Sequence, residues 1–279
     1  MRRRGGQVTA AGLVGVLALA IGVGSGSAAS TCALASFACP SPTTLELKPR
    51  WLKVTPSVLP RGRLAPVGFH GRGQIATADK SHPSALREAV LHVDRHVAFE
   101  VGGLPTCGYR RLSKLPSAEA RRACRTAIVG MGRAWFEVAY PEISPLIFET
   151  DTTLFNNGSR DGATRLLLHG HFEIPKPHAL IARIELRPAP RAHPGWIATV
   201  KVPRAEGGYG SLVDFELEVG REFHDDAGRS REFVSARCPD GKFELETPKA
   251  LFVNEANVPG IAPRTILKGS LLLPCKPAG

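Results

Sequence analysis

The 279-residue chain is 43% hydrophobic and 22% charged, which excludes a disordered polymer and suits one large domain or two small ones. Its 36 basic residues outnumber 25 acidic ones for a formal charge of +11. An excess of that size favours anionic surroundings: cell-wall polymers, phosphate-bearing glycans, acidic lipids or nucleic acid.

Residues 1–29 read as a cleaved signal peptide. Arg2, Arg3 and Arg4 open it, Ala11–Gly24 is an apolar run, and Ser27-Ala28-Ala29 offers small residues for cleavage. The run is about fourteen residues, short of the roughly twenty that span a bilayer, so no membrane span is expected. Ala29-Ser30-Thr31 before Cys32 is a poor lipidation signal. Without the three arginines the count is 33 basic to 25 acidic, or +8. Nucleic acid is not the expected partner of an exported chain; an anionic cell-wall polymer or glycan is.

Residues 30–44 read as a loose mature N-terminus and 45–279 as a single domain. Strands are expected at Leu45–Val54, Ala89–Val93 and Val97–Val101, with a turn at Asp94-Arg95 between the last two. Ser117 reads as the N-cap of one short helix near 117–126, which is rich in Ala, Arg and Glu. Ile128–Tyr140, Leu146–Leu154 and Arg165–Ile174 follow, with Asn156–Gly158 read as a turn. Leu180, Ala182, Ile184 and Leu186 alternate with Ile181, Arg183 and Glu185, and Val213, Phe215, Leu217 and Val219 alternate with Asp214, Glu216 and Glu218. Trp196–Val202, Glu232–Cys238, Lys242–Thr247 and Thr265–Leu273 complete the set. Cys238-Pro239-Asp240-Gly241 is a turn motif, predicting that Phe233–Ala236 pairs with Phe243–Leu245. A dozen short strands separated by Pro and Gly predict an all-β antiparallel sandwich or jelly-roll-like fold.

In an oxidising compartment the six cysteines are structural staples. Chain proximity ranks Cys107–Cys124 and Cys238–Cys275 first, leaving Cys32 and Cys39 to pair locally.

Two constellations could carry function. Arg110, Arg111, Lys114, Arg121, Arg122, Arg125 and Arg133 fall in one short region opposed by Glu119 alone. A Cys107–Cys124 bridge would hold the guanidinium groups in a fixed array for phosphate or carboxylate. The alternative is a metal-dependent hydrolase: His169, His171 and Glu173 share one face of a strand, where two histidines at i and i+2 can bind one ion. The acidic row Asp214, Glu216, Glu218 reads as a solvated strand face. Gly207–Ser211 lacks a Gly-x-Ser-x-Gly elbow and reads as a turn feeding a strand. The binding reading needs no cofactor.

The stretches Gly103-Leu104-Pro105-Thr106-Cys107, Ala120–Cys124 with Ala127-Ile128-Val129-Gly130, Gly207–Leu212, Cys238-Pro239-Asp240-Gly241-Lys242-Phe243 and Pro274-Cys275 resemble a group of secreted actinobacterial proteins of unknown function. The resemblance covers most of the mature chain. It implies a secreted, disulfide-stapled β protein and transfers no catalytic residue.

Overall fold

The structure is a computed structural model that describes residues 44–140, 142–173, 176–190, 194–224, 228–257 and 261–278. The expected signal segment, nearly all of the N-terminal stretch and the Cys32–Cys39 pair lie outside the described residues.

Eleven strands form one antiparallel sheet. In chain order they are β1 (Leu45–Thr55), β2 (Gly68–Thr77), β3 (Ala85–Val93), β4 (Ile128–Val138), β5 (Leu146–Arg160), β6 (Ala163–Phe172), β7 (His178–Pro188), β8 (Trp196–Lys201), β9 (Gly210–Val219), β10 (Lys242–Val253) and β11 (Arg264–Pro274). Their order across the sheet is β1-β2-β9-β4-β5-β6-β7-β8-β3-β10-β11. The fold is all-β and antiparallel, as the period-two patterning predicts. The sheet curls back so that its edge strands β1 and β11 lie against each other, and β3 meets β9 across the inside. Beyond β11, Lys276–Pro277 pairs in parallel with Val58–Leu59, just past β1, and ties the two edges at one end.

The inner face packs in two levels. At one end Val54, Phe243 and Leu273 join Phe223, Phe233 and Val234 from the chain that plugs the sheet. At the other end Leu45, Ile75, Ala250 and Phe252 form one cluster, and Phe136, Phe172 and Leu180 another. Each such fully buried side chain contributes about 1.5–3 kcal/mol from loss of apolar surface to water. Cys238 and Cys275 are bridged in the first level, with Cα atoms 6.2 Å apart.

Four local expectations are corrected. Phe233–Ala236 does not pair with Phe243–Leu245: Val234–Ala236 pairs with Val97–Phe99 and Ala65–Pro66 inside the plug, while β10 pairs with β3 and β11. The Cys238 N–H donates to the Pro60 carbonyl, so the chain crosses between layers at that turn instead of reversing in plane. Asn156–Gly158 is a bulge within β5, not a turn. The buried Asn156 amide donates to the Leu104 and Pro105 carbonyls and its Oδ1 accepts the Gly158 N–H, which holds the bulge in the sheet. The helix stops at Ala123 and gives way to a 3-10 turn at Arg125–Ala127. Finally, Pro116 occupies the N-cap position in place of Ser117, whose hydroxyl donates to the Asp151 carbonyl. The Asp94 turn forms as expected, with its Oδ1 accepting the His96 N–H.

Candidate functional site

The outer face of β5–β7 is apolar where most of the sheet's exterior is charged, and the chain covers it with two short helices. These are α1 (Tyr109–Leu112) and α2 (Ser117–Ala123). Leu112, Ala120 and Ala127 pack on Phe155, Leu167 and Ile181. Helices this short are marginal on their own, so tertiary ties hold them. The Cys107–Cys124 bridge closes the segment with Cα atoms 5.8 Å apart, and the Cys107 N–H donates to the Asn156 carbonyl. Arg183 from β7 lies over the Tyr109 ring at 5.0 Å. Arg221 closes the far end: its Nη1 donates to the carbonyls of Arg125 and Thr126, acceptors that a terminating helical turn leaves open, and to that of Ile128 at the start of β4. Burial, and then the nearby Arg125 charge, lower the Arg221 pKa.

This cap presents the expected basic residues outward. Arg110, Arg111, Lys114, Arg122 and Arg125 are exposed and, among the described residues, have no acidic partner. Arg121 differs, since its Nη2 lies 3.0 Å from Asp151 Oδ2 on β5. Arg133 stands apart on β4, 3.1 Å from Glu149 and stacked over Trp135. The array is therefore five free cations on one stapled segment. A cleft of about 420 Å³ adjoins the start of the cap, between Phe99–Gly102 and Asn156–Ser159. Its acid, Glu100, has one carboxylate oxygen engaged by the Gly102 N–H.

His169, His171 and Glu173 do share the outer face, but the cap separates them. His169 is fully buried beneath it, and its Nε2–H donates to the Leu115 carbonyl at 3.0 Å. Nδ1 has no partner. Burial pushes its pKa down, the Leu115 carbonyl opposes this, and His171 lowers it further. The His171 side chain is largely buried too, and its Nδ1 lies 3.1 Å from Oε1 of the exposed Glu173. Among the described residues no group of three His, Cys, Asp or Glu side chains can hold a metal ion. The run Leu166-Leu167-Leu168 is the signal that both faces of β6 are covered.

The acidic row on β9 faces outward into a ladder. Arg72 donates through Nε and Nη2 to both carboxylate oxygens of Asp214, and His70 Nε2 lies 3.1 Å from Glu216 Oε1. Asp214 raises the Arg72 pKa, chiefly through that hydrogen bond.

One constellation has no linear motif. Ser211 Oγ lies 3.1 Å from His82 Nε2, and His82 Nδ1 lies 2.7 Å from Glu137 Oε1. Hydroxyl, imidazole and carboxylate stand in the order that activates a serine nucleophile. Ser211 is only 1% exposed, however, so no substrate carbonyl reaches it in this conformation. The three groups clasp the loop before β3 onto the β4–β9 pair, where Ser211 stands opposite Glu137.

Compared with known protein families, with characterised proteins and with solved structures, the chain matches none. Among the described residues no helix is long and apolar enough to cross a membrane.

Proposed function

We propose that this is an exported, disulfide-stabilised protein of the cell envelope that works by binding, and that its helical cap holds an anionic cell-wall polymer or glycan. The observation that carries the reading is the set of five exposed, unpaired cations on a segment closed by Cys107–Cys124. Guanidinium groups on a fixed scaffold lose little freedom when they engage phosphate or carboxylate in two-point contacts. The basic signal-like N-terminus and the bridged cysteines support export, in line with the resemblance to secreted actinobacterial proteins. The sealed Ser211 and the buried His169 favour binding over catalysis.

Cosedimentation of the oxidised protein with purified sacculi across a salt series tests this. Retention is expected at about 0.05 M salt and is expected to fade toward 1 M, where the screening length falls to roughly 3 Å. Replacing Arg110, Arg111, Arg122 and Arg125 together by Ser should abolish it without altering the melting temperature. Absence of retention at low salt, or retention that survives the fourfold substitution, overturns the proposal.

A further inference from the structure

The two buried levels of the sheet interior do not meet. Between them every strand carries small or half-buried residues on its inner face, none of them charged. Gly71, Gly73, Gly132, Gly170 and Ala182 stand on one side, where the half-buried Leu52 and Phe215 lie over Gly71 and Gly73. On the other side Leu91 stands opposite Ala198, a core residue, and so points inward, yet it is 36% exposed. Gly269 stands opposite Thr247 on the same inner row, is itself exposed, and a Cβ added there would meet nothing within 4 Å. Inward residues of a filled core are not accessible; these are. Eight strands are about the number at which side chains just fill a closed sheet, so eleven enclose more width than that, and the accessible Leu91 and Gly269 mark where it is unfilled.

The space opens along the seam between β1 and β11. Leu45 and Leu47 reach Leu267 at one end, and the pairing of Lys276–Pro277 with Val58–Leu59 ties the other. Between those ties no ladder joins the two strands among the described residues. There β1 carries Pro49, which has no N–H to offer, and a register shift between Pro49 and Trp51. The seam's outer rim is basic. Lys48, Arg50 and Lys53 on β1 and Arg264 and Lys268 on β11 face one acid, Glu46, which is taken by Lys48.

We propose that the curled sheet is a binding cavity for one long-chain amphiphile with an anionic head. Its acyl chain lies along the uncharged inner belt, and its carboxylate or phosphate rests on the basic rim of the β1–β11 seam. The uncharged belt excludes a charged group from the inside, and the rim supplies cations where the chain must emerge.

Fluorescence titration with cis-parinaric acid, with palmitate and hexadecanol as competitors, tests the site. Saturable binding of one probe per chain is expected, displaced by both competitors. Gly269→Phe fills the open space and should weaken binding at least tenfold. Leu91→Trp fills it from the same wall, one strand beyond β10, and serves if the first variant does not fold. Lys268→Glu with Arg264→Glu should weaken palmitate several-fold while leaving hexadecanol unchanged, which separates the head contact from the tail contact. Failure of the wild-type protein to bind the probe saturably overturns the proposal. So does undiminished binding in a folded cavity-filling variant, because the probe would then lie on the outside.

Discussion

Replacing Cys107 and Cys124 together by Ala should destabilise the protein by about 3 kcal/mol. The bridge closes a segment of 17 residues, and the loss of chain entropy that it imposes on the unfolded state scales with the logarithm of that length. The same reasoning gives about 4 kcal/mol for Cys238 and Cys275, separated by 37 residues. The longer loop should therefore cost more by roughly 0.7 kcal/mol. The cap bridge should also act locally. Leu112 and Ala120 remain packed without it, but the Cys124 N–H bond to the Ala120 carbonyl ends a helix of seven residues that has little stability of its own. Urea unfolding followed by tryptophan fluorescence measures the global loss, and amide exchange at Ala120 and Cys124 measures the local one. Faster exchange at those amides, together with weaker retention on sacculi, is expected only for the cap variant. Losses below about 1 kcal/mol in both variants, or a larger loss for the shorter loop, would refute the entropic account.

Three other outcomes follow from the packing. Gly132→Ala would set a Cβ 1.9 Å from the Glu216 carbonyl oxygen and 2.9 Å from Leu217 Cα, so the β4–β9 pair must part; a cost above about 3 kcal/mol, or no folded protein, is expected, and a urea midpoint near that of the parent would contradict it. His169 has a depressed folded-state pKa, so the unfolded chain binds its proton more readily, and this residue's contribution to stability, complete above its ordinary value near 6.5, is lost as pH falls below it. His169→Gln keeps a donor for the Leu115 carbonyl and should flatten the fall in melting temperature between pH 7.5 and 5.5, whereas parallel curves would show that His169 carries none of it. Ser211 should resist fluorophosphonate labelling because it is sealed, and Ser211→Ala should cost about 1–3 kcal/mol by leaving the His82 ring nitrogen unpaired; rapid stoichiometric labelling would instead identify a working nucleophile.

Alternation in the sequence exposed most strands because one face of each is covered and the other is solvated. β2 escaped because Gly68, Gly71 and Gly73 imitate a loop. A Cβ at Gly71 would meet the Leu52 side chain at 2.7 Å, and one at Gly73 would meet the Phe215 ring at 2.5 Å. These glycines make room for large neighbours from β1 and β9, information that lies in other parts of the chain. The basic cap was legible because its charges are local. The removal of Arg121 and Arg133 from the free set was not, because Asp151 and Glu149 arrive from β5. The Ser211 clasp draws on residues 129 and 55 positions apart, which only the folded sheet brings together.

The two proposed binding features sit on opposite sides of the molecule. The helical cap covers β5, β6 and β7, which occupy the middle of the eleven-strand order, while the seam joins its two ends. In a sheet curled on itself, the middle strand and the meeting edges are as far apart as the wall allows. A chain held to a polymer by its cap therefore turns its seam away from that polymer, toward whatever lipid surface or micelle lies on the other side. Each strand between them is hydrogen-bonded to its neighbours, so the two features are held apart by one sheet. Parinarate should accordingly bind with the same affinity to protein retained on sacculi and to free protein. Competition between the two partners, in either direction, would mean that they share a surface, and would refute the placement of one at the cap and the other at the seam.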